Sequence, residues 1–411
     1  MSRVSSGAPI AQQMLDEIAA AAASILSAVT GAAVRPTGVE LIREGGRNLV
    51  VRCGMEGAPD GTRSVIAKQF LPGQDLGFTD WACLRFLLGV PGADQLAPVV
   101  LGGDAERRLF LMQDLRDTLG ASQDRTLDDE LRYGTPVTVT RAAIAVAQVT
   151  ARLHAATLGT HWERAFLRAC GGLPKTEVHR RDAEAKRWVA HLPKAVTWLH
   201  AVGGETPTGF LECTQRIAAT YRDPGPWLAF THGDPAPTNT YLESTGAAAR
   251  LLDFEYGGYR HALYDITAWW VLCPLPETLE RTLRHAYRDT LRAALTEALP
   301  TAFDDVGFQK EWATLVAYRA LAILSWVPLT ALKEDHVRVD EWTARQSLIA
   351  TAERLHAATT AVPQLSAMAA FATTLTRGLR ARWPECAQRD VVPRWGYQGN
   401  LDNLDRSGGL R

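Results

Sequence analysis

Residues 232–239 read His-Gly-Asp-Pro-Ala-Pro-Thr-Asn, and residues 253–255 read Asp-Phe-Glu. A short apolar run precedes each stretch, so each stretch is predicted to follow a buried strand. The side chains of Asp234, Asn239 and Asp253 are then expected to converge where the two strands end. Carboxylate and amide oxygens suit Mg²⁺ and its phosphate partners better than zinc. A turn built from Gly, Asp and Pro explains the first stretch but not the second.

The spacing of these residues resembles the aminoglycoside phosphotransferase and choline kinase family, a small-molecule branch of the protein-kinase-like fold. Protein kinases use His-Arg-Asp, four residues, Asn and then Asp-Phe-Gly for the same tasks. The resemblance implies that Asp234 orients the acceptor hydroxyl and accepts its proton, with His232 steadying the loop from beneath. It also implies that Asn239 and Asp253 hold Mg²⁺.

The resemblance implies an α+β, two-lobed protein-kinase-like fold, with a small antiparallel β N-lobe and a larger, mainly α-helical C-lobe. The N-lobe, which binds nucleotide and includes an N-terminal helix, is predicted over residues 1–113. The C-lobe, with the catalytic loop, metal site and acceptor pocket, is predicted over residues 114–411. Hydrophobic patterning places the N-lobe strands at residues 38–42, 49–51, 64–67, 98–102 and 109–112.

Helical periodicity is found at the start of the chain and again after the predicted N-lobe. The first helix is Ala-rich, is predicted over residues 8–29, and is expected to bury a stripe of Met14, Ile18, Ile25 and Val29. Later helices are predicted at residues 139–158, 182–200, 206–221, 278–297, 305–326, 337–358 and 364–380.

Two N-lobe elements are predicted to contact nucleotide phosphates. Residues 44–48 form a glycine-containing hairpin, whose backbone N–H groups can approach phosphate without obstruction by Cβ. Gly46 and Asn48 match the family's Gly-x-Asn-like element at this place. Lys68 ends a Val-Ile-Ala-Lys strand, which resembles the kinase strand whose lysine touches the α- and β-phosphates.

The helix after this strand and the end of the sheet complete the predicted nucleotide site. Thr79 is a plausible N-cap of that helix. Asp80 occupies the place where the family has a Glu that pairs with the strand lysine. Because Asp is one methylene shorter, the helix must lie closer or a water must bridge the pair. Gln113 and Leu115 bound the segment that matches the family's hinge, whose backbone meets the adenine edge.

Three further features concern the surroundings of the catalytic loop. His154 ends a predicted helix and is expected to be a scaffold residue rather than a ligand. Asp265 is expected to tie or cap the catalytic loop. Only a short segment, residues 253–264, separates the metal-binding Asp from the next helix, which is too short for a phosphorylation-regulated loop that docks peptides. The sequence therefore predicts a constitutively competent enzyme with a small-molecule acceptor.

Composition limits the classes of partner. The chain has 411 residues, of which 46% are hydrophobic, enough for two sizeable cores. Its net charge of −1 predicts no electrostatic attraction to nucleic acid or membrane. Its six cysteines include no Cys-x-x-Cys pair, and no signal peptide is recognised, so a cytoplasmic location is expected. The oligomeric state is left open.

The resulting hypothesis is transfer of the γ-phosphoryl group of ATP, or GTP, to a hydroxyl of a small molecule with Mg²⁺ as cofactor. An aminoglycoside or another antibiotic or natural product is the first acceptor class; choline, a sugar or a thiosugar is the alternative. A polycationic acceptor needs convergent carboxylates. Acidic candidates for that pocket are Asp304, Asp305, Glu311, Asp335 and Glu341.

Two readings from other classes compete with this hypothesis. A silent, nucleotide-binding pseudokinase is disfavoured because Lys68, Asp234, Asn239 and Asp253 are all present. A metal-dependent hydrolase using His232 explains neither the glycine hairpin nor the strand lysine.

Overall fold

The fold was examined in a computed structural model, which describes residues 12–45, 47–121, 123–174, 181–271, 275–295, 301–339 and 342–387. Its first part is a five-stranded antiparallel sheet of order β1-β2-β3-β5-β4, covered by two helices. In chain order these elements are α1 (Gln12–Thr30), β1 (Arg35–Glu44), β2 (Asn48–Glu56), β3 (Ser64–Phe70), α2 (Leu76–Leu87), β4 (Val100–Asp104) and β5 (Leu109–Gln113).

Helix α1 packs on one face of this sheet through small and branched side chains. Leu15, Ile18 and Leu26 are buried there together with strand residues such as Val51 and Leu111. The predicted stripe was therefore wrong in part, because Met14 is 45% exposed and Val29 is 60% exposed. The apolar face is rotated toward Leu15 and Leu26, since the run of alanines leaves the phase of the helix to its larger neighbours.

Helix α2 covers the other face of the sheet, where Phe70, Trp81 and Phe110 are buried. It begins at Leu76, three residues before the predicted N-cap, so Thr79 lies inside the helix and is fully buried. A tight turn after β3, in which Gln74 N–H donates to the Leu71 carbonyl, lets the helix start at once. This early start brings the first turns of α2 beneath the sheet.

The chain after β5 is mainly helical and shares one hydrophobic core with α2. Its helices are α3 (Leu115–Thr118), α4 (Leu127–Tyr133), α5 (Pro136–Ala156), α6 (Thr160–Gly171), α7 (Arg181–Ala201), α8 (Phe210–Arg222), α9 (Leu263–Val271), α10 (Glu277–Ala294), α11 (Asp305–Trp326), α12 (Ala344–Thr359), α13 (Ser366–Arg382) and α14 (Pro384–Ala387).

Three short antiparallel pairs interrupt these helices: β6 with β9, β7 with β8, and β10 with β11. The predicted helix over residues 337–358 begins only at Ala344, because β10 and β11 occupy the preceding residues and Thr343 caps the helix. The bounds of the short strands are β6 (Leu228–Thr231), β7 (Thr240–Leu242), β8 (Ala249–Leu251), β9 (Gly258–His261), β10 (Val337–Val339) and β11 (Trp342–Thr343).

The predicted fold class is confirmed: a small antiparallel sheet precedes a larger, mainly helical region, as in a two-lobed protein-kinase-like fold. The sheet ends at Gln113, and a division of the chain into lobes at that residue stays a prediction. In the part of the chain that the structure describes, no helix is long and apolar enough to cross a membrane.

Candidate active site

The loop after β6 makes a sharp turn that only glycine fits. Gly233 has φ +85°, and a Cβ at this position would lie 2.1 Å from the carbonyl oxygen of Tyr256. An alanine here would meet both backbone strain and a main-chain atom that cannot move aside. The turn therefore brings the loop against the segment that follows Asp253.

His232 is fully buried, and both ring nitrogens are occupied. Nε2 lies 2.7 Å from the carbonyl of Leu252 and must carry the proton, while Nδ1 accepts from the Asp234 N–H at 3.3 Å. The ring also packs against Phe254, with centroids 4.6 Å apart. Both ring nitrogens of this histidine thus contact the loop and the residue before Asp253, and neither is free for the metal-dependent hydrolase reading; its part in catalysis stays a prediction.

Asp265, in α9, holds the loop from below. Its carboxylate accepts the backbone N–H of His232 at 2.7 Å and that of Gly233 at 2.9 Å. His154 Nε2 lies 3.1 Å from the same carboxylate. Burial alone would raise the pKa of Asp265, but His154 and the backbone donors lower it below its ordinary value. The structure thus gives Asp265 and His154 the supporting roles that the sequence predicted.

Asp234 and Asn239 lie together at the end of this loop. The Asn239 side-chain amide donates to the Asp234 carbonyl at 2.9 Å and lies 3.4 Å from a carboxylate oxygen of Asp234. The Leu252 N–H donates to the Asn239 carbonyl at 2.9 Å, which joins the loop to the residue before Asp253. The three predicted polar residues therefore lie close together, where the loop meets the residue before Asp253.

Lys68 joins the sheet to this region. Its ammonium lies 2.6 Å from Asp80 Oδ2 and 2.6 Å from Asp253 Oδ1. The other oxygen of Asp80 accepts the Phe254 N–H at 2.8 Å. Because α2 starts early and lies close to β3, the shorter acidic side chain reaches the lysine directly, and no bridging water is needed.

Burial and charge oppose each other in this triad. Lys68 is 3% exposed, and burial alone would lower its pKa; the two carboxylates raise it instead. Burial also acts to raise the pKa of Asp253, but the adjacent ammonium lowers it below its ordinary value. Burial raises the pKa of Asp80, against the effect of the same ammonium. One buried cation therefore stabilises two acidic groups.

Asp253 has the features of a ligand-binding carboxylate. Its φ is +66°, a left-handed conformation that is uncommon for a residue other than glycine and is often found at functional sites. The Lys68 ammonium donates to Oδ1 of Asp253. Within the described residues, no group donates a hydrogen bond to the other carboxylate oxygen, Oδ2. The oxygens of Asp253 and Asn239 thus fit a Mg²⁺ ion in chemical type.

No group of three or more His, Cys, Asp or Glu side chains in the described residues could by itself hold a metal ion. The candidate site consists of Asp253 and Asn239, and asparagine is not among those four residue types. The assignment of Mg²⁺ to these two residues stays a prediction.

The hairpin between β1 and β2 reaches the residues after Asp253. Arg47 Nη2 lies 2.6 Å from Glu255, and Nη1 donates to the Tyr256 hydroxyl at 3.1 Å. Asn48 begins β2, and its carbonyl accepts the Gly45 N–H at 3.0 Å, which closes the turn. The sequence analysis did not single out this arginine. Gly46 lies outside the described residues.

The predicted hinge is fixed by an arginine that the sequence analysis also missed. Gln113 ends β5, where its N–H donates to the Val99 carbonyl at 2.8 Å, and Leu115 begins α3. Between them, Asp114 is buried and accepts from Arg52 Nε at 2.7 Å. Arg52 also contacts Asp124 and Glu40. A charged residue inside the apolar run of β2 was the available signal.

The acidic residues considered for an aminoglycoside pocket have local partners instead. Asp304 caps α11, and Asp305 contacts Arg288 and Arg292. Glu311 lies 3.3 Å from His261, and Asp335 accepts the Arg345 N–H. Glu341 lies outside the described residues. Each of the four described acids thus serves a cap, an ion pair or a turn.

No family model matches the chain, and no curated protein matches it in sequence. The search of solved structures did find similar chains. A choline/ethanolamine kinase family protein from Mesorhizobium loti is 17% identical, with a TM-score of 0.44, over 89% of this chain and 99% of the other. Choline kinase LicA from Streptococcus pneumoniae is 13% identical, with a TM-score of 0.42, over 87% and 98%.

A macrolide 2'-phosphotransferase type I is 14% identical, with a TM-score of 0.42, over 86% of this chain and 98% of the other. These are kinases and phosphotransferases of the group that the motif at residues 232–255 resembles. With identity and TM-scores this low, the roles assigned to residues of this chain rest on its own contacts.

Proposed function

We propose that the chain is a phosphotransferase that moves the γ-phosphoryl group of ATP, or GTP, to a hydroxyl of a small molecule. One observation carries the proposal: the Lys68 ammonium lies 2.6 Å from both Asp80 and Asp253. The ammonium of this strand lysine thus contacts both the acidic residue of α2 and the candidate metal ligand. Phosphoryl transfer depends mainly on such positioning and on charge neutralisation.

The donor side of the site is supported by the chemistry of Lys68. An ammonium group has three N–H donors, and two are directed to Asp80 and Asp253. The third is available to a phosphate oxygen. The hairpin around Asn48 and the backbone from Gln113 to Leu115 would contact the phosphates and the base.

Asn239 and Asp253 are the residues that would hold Mg²⁺. A bound Mg²⁺ supplies positive charge that neutralises the phosphate oxygens during transfer. The Lys68 ammonium adds a fixed positive charge beside Asp253. Within the loop, Asp265 and His232 keep the backbone of residues 232–234 in place.

Asp234 is the group that would align the acceptor hydroxyl and take its proton. Its carboxylate is partly exposed, and among the described residues no lysine, arginine or histidine forms an ion pair with it. An acceptor hydroxyl could therefore approach this carboxylate without displacing a cation. The segment from Asp253 to α9 is short, with β9 inside it. That length favours a small acceptor and a site that needs no phosphorylation.

The test is nucleotide binding by calorimetry with and without Mg²⁺, followed by turnover with hydroxyl compounds, for the wild type and Asp234→Asn. We expect the variant to keep Mg²⁺-dependent nucleotide binding. Turnover should fall by about 10²–10⁴-fold, because general-base assistance and orientation of the hydroxyl are lost.

Unchanged turnover in Asp234→Asn would remove this residue from its role. Tight nucleotide binding without turnover of any acceptor, equal in both proteins, would favour the pseudokinase reading. Failure of the wild type to bind either nucleotide with Mg²⁺ would refute the proposed function.

A further inference from the structure

A buried arginine near the catalytic loop has two guanidinium nitrogens without a hydrogen-bond partner in the described part of the chain. Arg319, in α11, is 4% exposed. Its Nε and Nη2 are hidden from solvent and find no acceptor among the described residues. Its guanidinium carbon lies 3.9 Å from the centroid of the Tyr264 ring, so the cation stacks on an aromatic face.

This arrangement differs from that of the other arginines buried in the described residues. Arg52 contacts three carboxylates, and Arg260 pairs with Glu184 at 3.0 Å. A buried cation without hydrogen-bond acceptors is unfavourable, and stacking on a ring replaces only part of the lost hydration. A ligand with acceptor oxygens would remove this cost when it binds.

Arg319 is connected to the catalytic loop through Tyr264. Tyr264 is partly exposed and directly precedes Asp265, which holds the catalytic loop through two backbone N–H groups. Arg260 lies 5.2 Å from the same Tyr264 ring and donates to the Tyr256 carbonyl, the atom against which Gly233 turns. The stacked arginine is therefore linked to the loop that carries Asp234 by adjacent residues.

Two guanidinium groups contact the Tyr264 ring. Arg260 and Arg319 both contact the ring, and Glu184 is the carboxylate that pairs with the first of them. Glu184 also accepts from the Tyr221 hydroxyl. The described acids once considered for a polycation pocket are taken by other partners, as shown above. Among the described residues, no carboxylate forms an ion pair with Arg319.

The geometry points to Arg319 as a specificity residue for the acceptor: we propose that its guanidinium binds an anionic group, a carboxylate or a phosphate, on the hydroxyl compound that is phosphorylated. The inference rests on the proposed function and adds a substrate class to it. The planar guanidinium has paired N–H donors that match two oxygens of such a group, and Nε and Nη2, which are hidden from solvent in this structure, would have to become accessible when the group binds. Polycationic aminoglycosides and quaternary amines would be repelled by the same charge.

The experiment compares sugars that differ in charge. Glucuronate and glucose 6-phosphate are the acidic compounds, glucose is neutral, and glucosamine is cationic. Kanamycin is added as a polycation. Glycerate and ethanolamine form a second, smaller pair. Two readouts are recorded for each compound with MgATP: steady-state turnover, and the shift in Tm at saturating nucleotide. We expect the acids to be preferred over the neutral and cationic compounds, and the two acidic sugars to show which anion fits.

The variants separate recognition from stability. Arg319→Gln should raise KM for the acidic acceptors by about ten- to hundredfold, the usual effect of losing hydrogen bonds to a charged group. Nucleotide binding should be unchanged. Arg319→Lys keeps the positive charge but loses the paired N–H donors, so its KM for the acidic acceptors should lie between those of the wild type and Arg319→Gln. Arg319→Glu should shift the preference toward glucosamine and ethanolamine, which a purely structural role would not do.

Arg345→Met is the matched control. Arg345 also stacks on a ring, that of Trp383 at 4.9 Å, but its Nε is satisfied by the Ala331 carbonyl at 2.9 Å. This variant should lose some stability and keep the acceptor preference of the wild type.

Several outcomes overturn the inference while phosphotransfer stands: preference of the wild type for amines, equal KM in Arg319→Gln, or the same change in Arg345→Met. No charge preference in either readout overturns it as well. If the wild type shows no Mg²⁺-dependent nucleotide binding, the proposed function itself is refuted. Failure of the acceptor inference and failure of the proposed function are therefore distinguishable.

Discussion

Replacement of Lys68 by Met removes the cation that lies between Asp80 and Asp253. Asp80 is 1% exposed and Asp253 is partly buried, and each lies 2.6 Å from the ammonium. Met fills a similar volume without charge. The variant therefore has Asp80 buried beside a second acidic group with no counter-charge.

The size of the effect follows from what Asp80 then does. A buried carboxylate without its partner costs about 3–5 kcal/mol. The group can avoid this cost by taking a proton, which at pH 7 costs about 4 kcal/mol for a carboxyl with an ordinary pKa of 3.8. At pH 5 the same protonation costs about 2 kcal/mol. The penalty of Lys68→Met should therefore be roughly halved between pH 7 and pH 5.

The sign agrees with proton linkage. In the variant, the native state holds a proton on Asp80 that the unfolded state releases above its ordinary pKa. Stability relative to the wild type then falls as pH rises, by about 1.4 kcal/mol per pH unit. In the wild type, the Lys68 pKa is raised, so its contribution is fully present below its ordinary value of 10.5. The lowered pKa of Asp253 contributes stability above 3.8.

The assay is thermal unfolding of both proteins from pH 5 to pH 8, with the difference in Tm as the readout. A loss of roughly 2–4 °C per kcal/mol, or less for a chain of this length, makes the trend measurable. The double variant Lys68→Met/Asp80→Asn removes both charges and should recover much of the loss at pH 7. A Tm loss that is equal at pH 5 and pH 7, or a double variant no more stable than the single one, would refute the reasoning.

Two further outcomes are expected. Asp253→Ala leaves the Lys68–Asp80 pair intact but removes a charged metal ligand, so calorimetry should show nucleotide binding that Mg²⁺ no longer tightens; equal tightening would contradict the metal assignment. Burial raises the pKa of Glu280 to about 7. Its native pKa exceeds the unfolded value of 4.5, so stability falls as pH rises through that window. At pH 8, Glu280→Gln should increase the free energy of unfolding by up to about 3 kcal/mol relative to the wild type, which thermal unfolding would show as a higher Tm. At pH 5 the increase should be small. An increase in Tm that does not depend on pH would count against this prediction.

Features that depend on neighbours in sequence could be predicted well. The five strands overlap the ranges that apolar patterning predicted, although β1 and β2 extend well beyond them. The loop spacing placed Asp234, Asn239 and Asp253 together, and the position of Lys68 at a strand end led to Asp80. The supporting roles of Asp265 and His154 followed from their places in the family resemblance. Whether these residues bind nucleotide and metal stays a prediction.

Features that depend on distant contacts could not be predicted. Arg52 meets Asp114 across 62 positions in sequence, and Arg47 meets Tyr256 across 209. Neither pair has a local periodicity or a spacing rule. Arg319 lies in a helix whose bounds were predicted, yet its lack of a hydrogen-bond partner is visible only when α9 and α11 are packed together. The buried face of α1 was predicted wrongly in part for a related reason, because alanines contribute little to determining which face of a helix is buried.

The two arginines missed in the sequence connect the sheet to the helical region at opposite ends of the candidate nucleotide site, and their contributions differ. At the hairpin, Arg47 has a side chain that is 45% exposed, and exposed ion pairs contribute about 0–1 kcal/mol. At the hinge, Arg52 and Asp114 are buried, and breaking such a pair costs about 3–5 kcal/mol. Because only the second pair is buried on both sides, the Arg52–Asp114 pair contributes more to the connection than the Arg47–Glu255 pair.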